Sequence, residues 1–201
     1  MNPIALTPAD ALIIVDLQND FLPGGSLGVP HGDEVVAPIQ QLVELYQGHG
    51  LPIYASRDWH PVGHCSFTQQ GGPWPIHCIA GSPGAAFSAA LPVEQFATVI
   101  SKATTVEQDA YSAFNGTGLG EQLRARGIQR VAVCGLATDY CVLNTARDAL
   151  AERFAVLLVL DAIRAVEVAP GDGARAIASM QGAGAQAVHV DQVGLLAATQ
   201  Q

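Results

Sequence analysis

The stretch DWHPVGH…WPIHC brings Asp58, His60, His64 and His77 into one short part of the chain. Asp58 and His60 stand two apart, so on an extended backbone both side chains leave the same face. His64 or His77 can close a site from the loop beyond. A carboxylate with imidazoles suits one divalent ion, zinc foremost and Fe(II) or Mn(II) as alternatives, with positions left open to water or substrate. Cys65 and Cys78 are rival ligands, but each adjoins a histidine, and neighbouring side chains rarely face the same ion. His31, His49 and His189 lack such company and read as structural.

A second set could carry covalent chemistry. Cys141 ends GLATDYC, after the strand-like VAVC and at the start of a helical pattern with Thr138 as its N-cap. A thiol in a first helical turn has its thiolate favoured by the helix dipole and free amides, and the same amides can hold an oxyanion. The competing reading is a small buried hydrophobe, which fits Cys134 inside the strand. Asp16 follows LIIV, so its carboxylate leaves a buried strand, where a lone charge is costly. It could instead cap a helix or turn. Lys102 closes ATVISK and offers Asp16 a partner, unless it is an ordinary surface lysine. Of the 9 basic side chains it alone is not arginine. A compact ammonium fits beside a carboxylate and a small substrate where a planar guanidinium does not.

The elements that must position these groups follow from the hydrophobic pattern. Strands are expected at 11–16, 52–58, 97–102, 130–135, 155–161 and 187–190, and helices at 35–47, 117–126, 138–152 and 170–183. Near-continuous apolar strands that alternate with helices predict an α/β protein: a three-layer α/β/α domain on a mostly parallel, six-stranded, doubly wound sheet. In such sheets ligands bind beyond the carboxyl ends of the strands. Asp16, Asp58, Lys102, the segment 135–141 and Asp161 all fall at predicted strand ends. Residues 59–95 break the rhythm, and their aromatics and histidines argue for an ordered site loop.

Composition narrows the function classes. The chain has 201 residues, 18 acidic against 9 basic, a net charge of −9 and no basic run. It therefore has no footprint for nucleic acid or anionic lipid. Charged residues make up 13%, against the usual ~25%, and hydrophobic ones 49%, so a large core is expected. Apolar runs are far shorter than the ~20 residues of a membrane helix, and MNPIALTPAD lacks the basic start and apolar stretch of a signal peptide. The four cysteines form no CxxC pair, and a disulfide framework is not expected. One cytoplasmic domain over 1–201 is the expectation, with no nucleic-acid or membrane partner and the oligomeric state, homo-oligomer included, left open.

VDLQNDFLPGGSL, SRDWHPVGHCSF, GGPWPIHC, the strand-end Lys102 and GLATDYCV, in this order, resemble the nicotinamidase/pyrazinamidase branch of the isochorismatase-like cysteine hydrolases. GLATDYC alone marks the superfamily, and DWHPxxH with WPxHC narrows it to the metal-containing branch. The resemblance implies a catalytic triad of Asp16, Lys102 and Cys141 and a metal on Asp58, His60 and His77. His64 would be a further ligand or lie beside metal-bound water. It also implies an oxyanion hole from the backbone N–H groups of Ala137 and Cys141, set by a cis peptide between Leu136 and Ala137. Phe21, Trp74 and Tyr111 would enclose a pyridine ring, with the ring nitrogen towards the metal. The implied activity is hydrolysis of nicotinamide, and of pyrazinamide, through a cysteine thioester in NAD salvage. Three rivals remain: a cysteine amidohydrolase for a ureido or carbamoyl compound, a metal-water hydrolase in which Cys141 merely packs, and a ligand-binding module.

Overall fold

The computed structural model describes residues 4–194. After a two-residue strand, β1 (Ile4–Ala5), comes β2 (Asp10–Val15), which is buried at every position. Its side chains alternate between two cores: Leu12 and Ile14 enter one, Ala11, Ile13 and Val15 the other. A strand that is apolar on both faces must lie inside a sheet covered above and below. The remaining elements supply that cover. They are α1 (Val36–Gly48), β3 (Ile53–Asp58), β4 (Thr98–Lys102), α2 (Leu119–Ala125), β5 (Arg130–Leu136), α3 (Leu143–Ala151), β6 (Ala155–Arg164), α4 (Asp172–Gly182), β7 (Gln186–Val188) and β8 (Val193–Gly194).

Six of the strands form one parallel sheet in the order β4-β3-β2-β5-β6-β7. α1 packs Ile39, Leu42 and Tyr46 into the first core, and α2, α3 and α4 pack Leu123, Ala146, Ala149 and Met180 into the second. The expected three-layer α/β/α architecture with a six-stranded doubly wound sheet is thus what the chain adopts. From β2 the chain runs outward through β3 to β4, then returns to the other side of β2 as β5. The strand order reverses between β2 and β5, which is where open α/β sheets leave a crevice for ligands.

That reversal draws two strand ends together. Gly135 has φ +110, and a Cβ there would lie 2.0 Å from the carbonyl oxygen of Val15. Only glycine lets β5 approach β2 so closely. The Leu136–Ala137 peptide that follows is cis.

Two local expectations need correcting, and one small element had no counterpart in the sequence reading. Thr138 does not cap a helix from outside: it opens a wide π-type turn, Thr138–Val142, with Ala137 in the cap position and no side-chain cap. Val142 N–H donates to Ala137 O at 3.1 Å, the i to i−5 bond that closes this turn. Asp161 is not a rim residue. β6 runs on to Arg164 across a register shift opposite Val133 and Gly135, and the Asp161 carboxylate accepts Val190 N–H at 3.1 and 3.2 Å. The apolar pair Ala162 and Ile163 after Asp161 carries the strand back into the core. Finally, β1 and β8 form a separate two-stranded parallel sheet that two-residue segments could not announce in sequence.

The long segment 59–95 is held by its own pairings. His60 bridges Ile79, Phe67 bridges Trp74, and Phe87 bridges Gln18 at the exit of β2. Short 3-10 turns occupy Thr68–Gln70 and Val93–Gln95. Among the described residues no helix is long and apolar enough to cross a membrane.

Candidate active site

Asp16 leaves β2 with φ +46 and is fully buried. Its Oδ1 accepts Ser56 Oγ–H at 2.6 Å, and its Oδ2 lies 2.9 Å from Lys102 Nζ. Lys102, 1% exposed, stands at the end of β4 in register with Asp58 at the end of β3. Its ammonium donates to Asp58 Oδ1, to the carbonyl of Ala110 at 3.2 Å and to Cys141 Sγ at 3.5 Å. One lysine therefore joins both carboxylates to the thiol. Asp58 as a partner of Lys102 was not anticipated from sequence.

Burial dominates the electrostatics. The Asp16 carboxyl is raised above its ordinary range by burial, with Asp58 adding to the rise and Lys102 opposing it. Burial also pushes the Cys141 thiol well up, and the Lys102 ammonium only partly resists. This reverses the expectation that the helix end lowers the thiol, because full desolvation of a thiolate outweighs one turn of amides. Asp58 goes the other way. Burial alone would raise it, but the Lys102 ammonium holds it below the usual carboxylate range. Lys102 is raised well above its ordinary value: burial opposes its charge, and Asp16 and Asp58 together prevail. The resting site thus pairs an ionised Asp58 and a charged Lys102 with a protonated thiol and an Asp16 of raised basicity.

The second carboxylate oxygen of Asp58 faces the histidines. Asp58 Oδ2 lies 3.6 Å from His60 Nε2 and 3.9 Å from His77 Nε2, and ligand atoms of the three residues lie within 4.8 Å of one another. The Nδ1 atoms are tied to backbone, His60 to Ala103 O at 3.3 Å and His77 to Pro75 O at 2.8 Å. Those carbonyls demand Nδ1–H, which leaves each Nε2 as a lone-pair donor. His60 Nε2 is buried without a hydrogen-bond partner. Burial lowers His77, which keeps its ring neutral and fit to ligate. An orphaned acceptor, a second free Nε2 and an ionised carboxylate aimed at one point fit a divalent metal ion.

His64 stands beside this cluster, its ring centroid 4.2 Å from that of His60. Its Nδ1 pairs with Ser66 Oγ at 2.8 Å and its Nε2 with Gln108 O at 3.2 Å, so both nitrogens have protein partners. Cys78 is buried in the core, its thiol pushed up by burial, and Cys65 is partly exposed; neither joins the cluster. The three isolated histidines sit elsewhere: His31 beside Glu34 at 3.1 Å, His49 on Leu45 O at 2.7 Å, and His189 near Asp161 at 3.8 Å.

A cavity opens between the two clusters, lined by Phe21, Leu27, Trp74, Tyr111, Ala137, Tyr140 and Val166 with Asp58, His77 and Cys141. Phe21 packs on His77 at 5.7 Å between centroids. Trp74 Nε1–H donates to Tyr111 Oη at 2.9 Å, and Trp74 and Tyr140 meet edge to face at 4.8 Å. All three aromatics singled out in sequence line the cavity. Tyr140 was missed, although an aromatic residue beside Cys141 was a signal available to find it. Asp139 accepts Val166 N–H and Glu167 N–H at 2.9 Å each, which brings Val166 to the mouth. Ser56 was missed too, though it shares a strand face with Asp58 by simple alternation.

Fold and cluster together define a class: a doubly wound α/β/α protein with a thiol, two carboxylates and an ammonium buried at its switch point. Within that class the chain belongs to the isochorismatase family, its residues 10–192 matching the Isochorismatase domain. It is 40% identical over 199 residues to the nicotinamidase of Escherichia coli (strain K12), covering 89% of this chain and 93% of that protein. Among solved structures it resembles the pyrazinamidase of Pyrococcus horikoshii in complex with zinc, at 46% identity and a TM-score of 0.86 over 90% of this chain and 99% of that one. It also resembles PnC1 from L. infantum in complex with nicotinate, at 37% identity and a TM-score of 0.89 over 96% and 99% of the two chains.

Proposed function

We propose that this protein is a nicotinamidase, a cysteine amidohydrolase that converts nicotinamide to nicotinate and ammonia in NAD salvage and also accepts pyrazinamide. The observation that carries the reading is the Lys102 ammonium, buried between Asp16, Asp58 and Cys141 beneath an aromatic cavity. The nicotinamidase and pyrazinamidase relatives support it. A ureido or carbamoyl substrate would give Phe21, Trp74, Tyr111 and Tyr140 no ring to enclose.

Asp16, Lys102 and Cys141 are the catalytic residues. With the ring held among the aromatics, Asp16 takes the Cys141 thiol proton as sulfur attacks the carboxamide carbon. Lys102 stabilises the nascent thiolate and keeps Asp58 ionised. The backbone N–H groups of Ala137 and Cys141 receive the oxyanion. Asp16 returns the proton to the leaving nitrogen, the C–N bond breaks, and ammonia departs from a thioester. Water attacks the thioester carbon with Asp16 again as base, which releases nicotinate and restores the thiol.

Asp58, His60 and His77 hold one divalent metal, with zinc favoured by the zinc complex of the Pyrococcus horikoshii relative. When bound, the ion supplies a Lewis-acidic point on the cavity wall that can hold a ring nitrogen. His64 supports His60 from outside rather than ligating. The whole chain acts as one cytoplasmic domain on a small amide. Ammonia release from nicotinamide, pyrazinamide and an aliphatic ureido compound tests the reading. Release from the two aromatic amides alone is expected, and equal or exclusive turnover of the ureido compound would reject it.

A further inference from the structure

β2 ends abruptly. At Asp16 the backbone turns left-handed and leaves the sheet, after Asp16 N–H has paired with Ser56 O at 3.1 Å. The next rung of the ladder belongs to Asp58, whose N–H and C=O would face an empty place. The Gln18 side chain fills it. Its Oε1 accepts Asp58 N–H at 2.8 Å, and its Nε2 donates to Asp58 O at 2.8 Å and to Ala85 O at 2.9 Å. Gln18 is fully buried, and Gln18 N–H is itself pinned to Asp16 O at 2.8 Å. The amide cannot be flipped, since the one N–H requires an acceptor and the two carbonyls require donors. A primary amide thus stands in for a missing strand residue.

We infer that Gln18 is the positioning residue of the metal cluster, a side-chain rung that fixes the backbone of Asp58 so that one oxygen meets Lys102 and the other meets His60 and His77. The inference rests on the proposed metal role of Asp58. The physical reason is that Asp58 ends β3 and gives its two oxygens to different partners. A small rotation of its backbone would serve one at the expense of the other. Gln18 removes that freedom and, through its bond to Ala85 O, ties the 59–95 segment to the same anchor. Partners that orient a metal ligand in this way typically govern affinity by about 10- to 100-fold.

The test uses the full-length protein loaded with zinc. Gln18→Met keeps volume and removes all three hydrogen bonds, and Gln18→Glu keeps the shape and the acceptor for Asp58 N–H but loses the amide donors. Asp10→Asn provides a control, because it weakens a buried cluster at the opposite end of β2 where Asp10 pairs with Arg130. Zinc dissociation constants come from competition with a chromophoric chelator, and kcat and KM for nicotinamide are measured at saturating zinc. The expected result is zinc affinity weaker by about 10-fold or more in both Gln18 variants, with kcat reduced more than KM is changed. Asp10→Asn should lower the melting temperature and leave both readings unchanged. Folded Gln18 variants with wild-type zinc affinity and kcat would overturn the inference. If Gln18→Met does not fold, Gln18→Glu carries the same two outcomes. Failure of the wild type to bind zinc would reject the metal reading itself, a separate result.

Discussion

Lys102 and Asp58 face each other across one rung of the β3–β4 ladder, and the ammonium of one ends on Oδ1 of the other. The same Nζ lies 2.9 Å from Asp16 Oδ2, so a single buried cation is shared by the proposed base and a proposed metal ligand. Two carboxylates around one ammonium leave the pocket short of positive charge. A divalent ion on the far side of Asp58 would relieve that imbalance.

Replacing this lysine should therefore do two separable kinds of damage. Lys102→Arg keeps the charge, but the guanidinium does not fit among Asp16, Asp58, Ala110 O and Cys141 Sγ, and kcat should fall by at least about 100-fold. Lys102→Met leaves two buried carboxylates facing each other without a counter-charge, and stability should drop by about 3–5 kcal/mol as well. Ammonia release together with chemical denaturation separates the two, and an Arg variant with near wild-type turnover would refute the placement of Lys102 in the reaction.

Cys141→Ala should reduce ammonia release by about 10⁴-fold or more while zinc content stays near that of the wild type. Cys141 lies outside the Asp58–His60–His77 set, so the nucleophile and the metal should be lost independently. Residual turnover close to wild type would favour a water nucleophile in place of sulfur.

The histidines should split by their hydrogen bonds. His60→Ala removes an unpartnered Nε2 from the cluster and should lose metal, measured by elemental analysis after dialysis, with activity falling in parallel. His64→Ala removes a ring whose nitrogens serve Ser66 and Gln108, and should retain most of the metal. Equal metal loss in both variants would make His64 a ligand.

Gly84 offers a probe remote from the reacting atoms. A Cβ there would lie 2.2 Å from Asp20 Oδ2, the oxygen that accepts Cys78 N–H at 2.7 Å beside His77. Gly84→Ala should displace the Asp20 carboxylate, free the His77–Cys78 backbone and destabilise the fold by about 1–3 kcal/mol. The reading predicts a lower melting temperature and weaker zinc retention in the same variant. A rise in melting temperature would mean that Asp20 does not anchor this loop.

Much of this protein was legible in its sequence. Burial leaves a local signature, so the alternating and continuous apolar runs announced all six strands of the main sheet and the helices between them. Residue type and strand-end position did the same for Asp16, Asp58 and Lys102, and the turn after a strand did so for Cys141, because a charge or thiol leaving a buried strand has few places to point, although the same rule misplaced Asp161. The family resemblance then supplied the aromatics Phe21, Trp74 and Tyr111. Register was not legible. That Lys102 pairs with Asp58, that Gln18 fills a vacant rung beside it, and that Tyr140 and Val166 close the cavity depends on segments tens of residues apart meeting at one depth. The directions of the Asp16 and Cys141 pKa shifts also needed the tertiary structure, since desolvation is set by what surrounds a group and not by its neighbours along the chain. The sequence by itself determined that Asp16, Asp58 and Lys102 end their strands, but not that Asp161 lies inside β6. Only the packed structure decided that one ammonium serves two carboxylates there, because its contacts to Asp16 Oδ2 at 2.9 Å, to Asp58 Oδ1 and to Cys141 Sγ at 3.5 Å are fixed by strand register and by the close approach at Gly135.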